Sequence, residues 1–341
     1  MSSNSPRSPG LSPDDALPPV EPPSAGFILQ LFLVPGIIVV VVVMIWLLFN
    51  WLAHKGNDRD EFVRALSRNN EARWQAAFNL ANELRVERNS GNPQLANDHE
   101  LAKQLAGILD REIDGAGTDE NSITLRIYLC RALGEFKVTD GLGALIKAAT
   151  TERDEREADV RRAALEGIAL LADNVGAQGE HFSADKPLAN ALLKAAEDSQ
   201  PRTRATATVA LGVIGGPEFL EKLRVMAEDT HPDVRYNAAT RLALHGDIAA
   251  VPVLAEMLDA DENAGVDVEP EIKMRPLKRA VITINALRAT GQLAAKNHDA
   301  DLGTLQAAVE KLLAGDAVGE LRVEATNAQR QLNARTAAAP R

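Results

Sequence analysis

Residues 223–246 read LRVMAEDTHPDVRYNAATRLALHG, and this stretch repeats an earlier one. Residues 192–215 read LLKAAEDSQPRTRATATVALGVIG, and at an offset of 31 positions nine residues are identical. In the later copy these are Leu223, Ala227, Glu228, Asp229, Pro232, Arg235, Ala238, Leu242 and Gly246. Proline disfavours helical backbone at the residue before it and suits the first turn of a helix, whereas glycine suits the left-handed residue after a helix end. Each copy is therefore predicted to form an apolar helix, a turn, and a second helix that ends at the glycine.

The second-helix pattern Arg-x-x-Ala-x-x-x-Leu recurs on both sides of these copies. Looser forms begin at Arg73, Arg126, Arg161 and Arg322, and another unit ends at Gly291. An apolar stretch with helical i, i+3, i+4, i+7 spacing precedes each of them. Helix pairs that repeat every 30–50 residues or so are typical of stacked solenoids. The sequence thus predicts an all-α, right-handed α-solenoid of about seven helix pairs over residues 58–333.

The stretch from Asp229 to Leu242, Asp-x-x-Pro-Asp-Val-Arg-x-x-Ala-x-x-x-Leu, closely resembles the HEAT repeat. The resemblance is strong over residues 188–246 and extends more weakly over residues 58–332. It implies a curved solenoid that binds partner proteins along a concave groove. It also implies structural roles, with no catalysis, for the repeat positions Arg73, Arg126, Arg161, Asp198, Arg204, Leu211, Asp229, Arg235 and Leu242.

The charged repeat positions keep a constant spacing. Asp198 and Arg204 are six residues apart, as are Asp229 and Arg235. A catalytic group is normally needed once per site, whereas this pair recurs with the structural period. The planar fork of arginine can bind a carboxylate and backbone carbonyls together. We therefore predict that these charges hold neighbouring units together, that Leu211 and Leu242 are buried, and that Thr208 is exposed.

Residues 27–53 carry no charge and include five consecutive valines, Val39 to Val43. A bilayer core of about 30 Å needs about 20 helical residues, so this run is predicted to be a transmembrane helix that enters the lipid bilayer. A signal peptide has a basic start and a shorter apolar core, and a buried core helix is the other alternative. Basic residues follow the run at Lys55, Arg59, Arg64 and Arg68, whereas Arg7 alone precedes it. By the positive-inside rule we expect a single-pass membrane protein with a cytoplasmic C-terminal domain.

The two ends of the chain are predicted to be disordered. Residues 1–26 are dominated by proline and serine, and such a tail buries little apolar surface. A polyproline ligand is the alternative for this segment. Residues 334–341 are predicted to form a short C-terminal tail.

The charge balance argues against one class of partner. The net charge is −11, and the first 26 residues contribute −2, so the remainder carries −9. Binding to phosphate backbones needs clustered lysine and arginine, so no nucleic-acid partner is expected. The single cysteine, Cys130, lies in an apolar helix and is predicted to be a small core residue.

Two local motifs partly resemble metal sites. Residues 259–269, DADENAGVDVE, place oxygen ligands at alternate positions as an EF-hand loop does, but Ala264 and Pro270 stand where that loop needs glycine and glutamate. His99-Glu100 resembles the His-Glu pairs of helical-repeat hydroxylases such as deoxyhypusine hydroxylase, which use several pairs to hold two irons. A single pair cannot complete such a site. The sequence therefore predicts no metal, no cofactor and no catalytic residue.

Together these patterns predict a membrane-anchored HEAT-repeat scaffold that binds one or more proteins in its groove without catalysis. The alternative is a helical-repeat enzyme or lyase subunit that acts on a protein-bound substrate.

Overall fold

The computed structural model describes residues 24–54, 59–68, 72–90, 93–179, 182, 184–315 and 318–338. Most of the predicted tail 1–26, together with Lys55 and residues 339–341, lies outside this part. The chain divides into two compact units, residues 1–58 and 59–341. All regular structure in the described ranges is helical, which confirms the prediction of an all-α chain.

The first unit contains helix α1, Ala25–His54. Its segment Leu29–Phe49 has a mean hydropathy of 3.1 and no buried residue. Pro35 lies inside the helix without ending it, as transmembrane helices tolerate. Among the described residues this is the one helix that is long and apolar enough to cross a membrane.

The described part of the second unit contains seven consecutive helix pairs. Their bounds are α2 Arg59–Ser67 and α3 Arg73–Arg88, α4 His99–Asp114 and α5 Glu120–Gly134, α6 Leu142–Thr150 and α7 Glu157–Gly176, α8 Lys186–Ala195 and α9 Pro201–Ile214, α10 Pro217–Met226 and α11 Pro232–Leu244, α12 Val251–Leu258 and α14 Arg275–Lys296, and α15 Gly303–Ala314 and α16 Gly319–Ala338. A short helix, α13 Ala264–Asp267, lies between α12 and α14, and 3₁₀ turns precede α6, α12 and α14. Helix α16 continues past residue 333, the predicted domain end, because alanines favour helix there.

The helices stack in two layers. The second helices α3, α5, α7, α9, α11, α14 and α16 each pack against the next, and each first helix packs against its own second helix. One continuous apolar core runs between the layers. Leu211 and Leu242 are fully buried in it, which confirms their predicted burial.

Local sequence signals set the helix ends. Pro201 and Pro232 occupy the first turns of α9 and α11. Gly215 and Gly246 follow those helices with φ of 70° and 76°, in the left-handed region that glycine adopts at no steric cost. Each repeat copy therefore has the helix start and the helix end that its sequence predicts.

The prediction for Thr208 is wrong. The residue is fully buried, because α9 packs against both α7 and α11 and leaves little of its surface open. Its Oγ1 donates to the Ala205 carbonyl at 2.6 Å. Cys130 is also fully buried, and burial raises the pKa of its thiol to about 12. It is a core residue, as predicted.

Candidate protein-binding groove

The outward faces of the second helices carry a row of adjacent hollows, the second-helix groove. Three hollows make it up, with volumes of about 330, 430 and 350 Å³. The first lies on α3, α5 and α7, the second on α7, α9 and α11, and the third mainly on α9, α11 and α14. Glu166 and Leu170 line both the first and the second hollow, and Thr206 and Asn237 line both the second and the third. Neighbouring hollows therefore share wall residues along the row.

Aromatic side chains cluster at the α3–α5 end of the groove. The Tyr128 ring stacks on Trp74 with centroids 6.3 Å apart and meets Phe78 edge-on at 5.2 Å. The guanidinium of Arg131 lies 5.3 Å from the Tyr128 ring centroid, within range of a cation–π interaction. Phe78 remains 41% exposed. This end offers an apolar surface with a cation beside it.

The groove carries more positive than negative charge. Its lining contains six basic residues: Arg85, Arg131, Arg162, Arg202, Arg241 and Lys278. It contains four acidic residues: Glu135, Glu166, Asp173 and Asp233. The chain as a whole is strongly acidic, so the groove differs in sign from the rest of the molecule.

Ion pairs satisfy some of these charges. Lys278 pairs with Asp233 at 3.1 Å, and Glu135 with Arg88 at 3.0 Å. Arg162 pairs with Asp159 on its own helix. In the described ranges, four of the basic groove residues make no salt bridge: Arg85, Arg131, Arg202 and Arg241. Glu166 and Asp173 are the acidic groove residues that make no salt bridge with a described residue.

Arg241 is the most enclosed of these cations. Its aliphatic stem packs where a side chain on Gly212 would otherwise lie, since a Cβ at Gly212 would be 2.5 Å from the Arg241 Cβ. Its Nε is buried without a hydrogen-bond partner among the described residues. Burial lowers the pKa of its guanidinium, and the Asp173 carboxylate partly opposes that shift.

The arginines predicted from the repeat do not line the groove. They contact acidic groups of the neighbouring unit or turn, at N–O distances of 2.8 Å for Arg73–Glu112, 2.8 Å for Arg126–Glu157, 3.3 Å for Arg161–Asp198, 2.8 Å for Arg204–Asp229 and 2.5 Å for Arg235–Glu256. Asp198 and Asp229 do not bind the arginine six residues later through their carboxylates. Arg204 and Arg235 instead donate to the Asp198 and Asp229 backbone carbonyls, both at 3.0 Å.

A larger hollow of about 780 Å³ lies among the turns near Asp198. All of its charged groups except Glu155 lie in ion pairs with described residues, among them Arg161 with Asp198 and Lys194 with Glu152 at 3.2 Å. These charges are therefore already neutralised within the protein. The second-helix groove, with its unpaired cations, is the better candidate for a binding site.

The two motifs that partly resemble metal sites make other contacts. Part of residues 259–269 forms α13, and Arg279 donates to the Asp259 and Glu262 carbonyls and to the Asn263 side chain. His99 contacts Asp140 at 2.6 Å, while Asp98 caps α4 by accepting from the backbone of Glu100 and Leu101. Among the described residues no group of three or more His, Cys, Asp or Glu side chains could hold a metal ion.

Comparison with known structures finds similar helical proteins at low identity. A chain of the complex of CpcE and CpcF of phycocyanin lyase from Nostoc is 18% identical, with a TM-score of 0.46, over 81% of this chain and 94% of that one. A designed armadillo repeat protein is 18% identical, with a TM-score of 0.37, over 74% and 99%. Human deoxyhypusine hydroxylase is 18% identical, with a TM-score of 0.32, over 81% and 96%.

Comparison of sequences is more specific. No curated protein matches the chain significantly. Residues 189–267 match the family described as HEAT repeats, and this segment contains most of the two best-matched copies. The second unit is thus a stack of helix pairs, and its residues 189–267 match HEAT repeats.

Proposed function

We propose that the protein is a membrane-tethered scaffold that holds a partner protein in its second-helix groove and has no catalytic activity of its own. The α1 segment Leu29–Phe49 crosses the bilayer, and the helix-pair domain lies in the cytoplasm.

The groove carries this proposal. Its lining combines an exposed aromatic group, Phe78, with arginines that make no salt bridge with any described residue. Aromatic and arginine side chains are the types enriched at protein–protein contacts. Each hollow has the size of a small binding pocket, and the row of hollows suits a partner that lies across several helices.

The membrane segment supports a tethering role. Its 21 residues match the thickness of a bilayer core, and none of them is buried within the protein. Anchoring confines the groove to a thin layer at the membrane surface. The local concentration of a partner at the same membrane then rises without any new contact.

Site-specific photocrosslinking in native membranes tests the scaffold role. A photoreactive amino acid replaces Phe78 in the full chain, and cross-linked adducts are resolved by mass. We expect discrete adducts with another protein. The matched control places the same group at Val225, which is 59% exposed on a first helix, and should give none of these adducts. Identical adduct patterns from the two positions would contradict the proposal.

A further inference from the structure

The second-helix groove has a charge pattern that selects among protein partners, and this inference rests on the proposed function. We infer that the groove binds an acidic segment of a partner in extended conformation. The observations that carry it are the four cations without salt bridges, the shape of the row of hollows, and the contrast with the acidity of the whole chain.

Ion pairs within the protein already neutralise part of the charge of the groove. Once Lys278, Arg162 and Glu135 are counted with their partners, the groove retains four cations and two carboxylates among the described residues. The chain around it is acidic, with a net charge of −11. A partner rich in Asp and Glu is therefore attracted to the groove and repelled by most of the remaining surface, which fixes where it docks.

The position of Arg241 also favours an acidic partner. The Arg241 guanidinium loses hydration on burial, its Nε has no hydrogen-bond acceptor among the described residues, and the Asp173 carboxylate offsets the loss only in part. A carboxylate entering the second hollow restores that loss through charge-assisted hydrogen bonds. Thr206 and Asn237 line the same hollow. Both side chains already donate within the protein, so their oxygens can accept from backbone N–H groups of the partner.

The dimensions indicate an extended chain. Neighbouring helices lie about 8–10 Å apart, so the row from α3 to α14 is about 40–50 Å long. An extended segment rises about 3.3 Å per residue, and roughly 12–15 residues span the row. At the α3–α5 end, Phe78 and Tyr128 offer a surface for one apolar or aromatic anchor of that segment.

Fluorescence anisotropy with the full chain in detergent micelles tests the inference. Four labelled probes of about 14 units are compared: a Glu-rich peptide with one Trp, the same peptide with Gln for Glu, the same with Lys for Glu, and a single-stranded oligonucleotide. We expect the Glu-rich peptide to bind tightest, with an affinity that falls as salt is raised. Tighter binding of the Gln or Lys peptide overturns the acidic class, and tighter binding of the oligonucleotide replaces it with a nucleic-acid partner.

Matched variants locate the binding. Arg131→Gln, Arg202→Gln and Arg241→Gln should each weaken the Glu-rich peptide by roughly three- to tenfold, and Arg202→Lys should retain most of the affinity. The control is Arg111→Gln, an exposed arginine on first helix α4 that makes no salt bridge with any described residue. An equal loss in this control shows non-specific attraction and overturns the inference.

The experiments distinguish a failure of the scaffold role from a failure of the acidic partner. Discrete Phe78 adducts together with no binding of the Glu-rich peptide would support the scaffold role and overturn the inference of an acidic partner. Circular dichroism of every variant shows whether it is folded. If a variant unfolds, the affinity of the unaltered chain for the Glu-rich peptide is measured at increasing salt concentrations instead. An affinity that does not decrease with ionic strength overturns the inference.

Discussion

Arg204 binds both carboxylate oxygens of Asp229, with Nε–Oδ2 and Nη2–Oδ1 distances of 2.8 Å. The arginine belongs to α9 and the aspartate to the turn between α10 and α11, so the contact joins consecutive units. The two side chains are 16% and 14% exposed. The Asp229 carboxylate also accepts from the His231 backbone N–H at 2.8 Å, which ties the ion pair to the shape of the turn.

This geometry predicts which substitutions are coupled. Arg204→Ala should lower the free energy of unfolding by about 1–3 kcal/mol, between the values for exposed and for buried pairs, because Asp229 is left without its partner. In a double-mutant cycle measured by chemical denaturation, Arg204→Ala and Asp229→Ala should be clearly non-additive. Arg235 binds the Asp229 backbone carbonyl, which an alanine at 229 retains. Arg235→Ala and Asp229→Ala should therefore be close to additive, and equal coupling in the two cycles would contradict the assignment.

A buried pair in the neighbouring region predicts a pH dependence. Arg126 and Glu157 side chains are 1% and 2% exposed and 2.8 Å apart. Burial raises the pKa of Glu157, but hydrogen bonds from Arg153 and Arg126 outweigh it and lower the pKa to about 2. The value in the unfolded chain is about 4.3. The folded pKa is the lower one, so the stabilisation is fully present above pH ~4.3 and is lost as the pH falls towards 2.

The measurement compares the unaltered chain with Glu157→Gln by urea denaturation across this range. The difference in free energy of unfolding should shrink by about 3 kcal/mol between pH 6 and pH 2, which corresponds to roughly two pKa units. A difference that stays constant with pH would show that the Glu157 charge contributes little to stability.

The repeat pattern predicts the helix pairs well because each signal is local. The prolines, the glycines after helix ends and the buried leucines act within one unit, and the structure contains all three at Pro201, Gly215 and Leu211. A groove was expected, but the residues that line it were not predicted. Residues such as Tyr128, Arg202 and Arg241 differ from unit to unit, so no period marks them, and their proximity depends on how separate units stack. Aromatic and basic residues at exposed positions of the second helices were the sequence signal that could have indicated the lining of the groove.

Core burial predicts a large effect at Leu211. Leu211→Asp places a carboxylate in a fully buried site with no partner, so we expect a loss of more than about 4 kcal/mol. Val225→Asp, at a position that is 59% exposed, serves as the control and should change stability by less than about 1 kcal/mol. Similar melting curves for the two variants would refute the buried register.

The membrane proposal predicts the behaviour of a doubly tagged chain. With one tag before Met1 and another after Arg341, both tags should stay in the pellet after alkaline carbonate washing and should migrate on one polypeptide. Replacing Val40 and Val42 by lysine costs about 5–7 kcal/mol at the centre of the span and should release the protein. Recovery in the supernatant of a shortened chain that carries only the C-terminal tag would instead indicate a cleaved signal sequence.

The close approach of α5 and α7 predicts a specific effect of one methyl group. A Cβ on Gly167 would lie 2.7 Å from the Cys130 carbonyl oxygen, and a Cβ on Gly134 would lie 2.6 Å from the Gly167 Cα. Backbone atoms cannot move aside as a flexible side chain can, so Gly167→Ala should force the two helices apart and cost about 1–3 kcal/mol. This cost exceeds the gain of up to ~1 kcal/mol that alanine normally brings to a helix interior.

Gly107 of α4 is the matched control, because a Cβ there meets only the end of the Arg111 side chain at 3.6 Å. Gly107→Ala should leave the free energy of unfolding unchanged or raise it, and a similar rise for Gly167→Ala in denaturant titrations would show that α5 and α7 pack less closely than described.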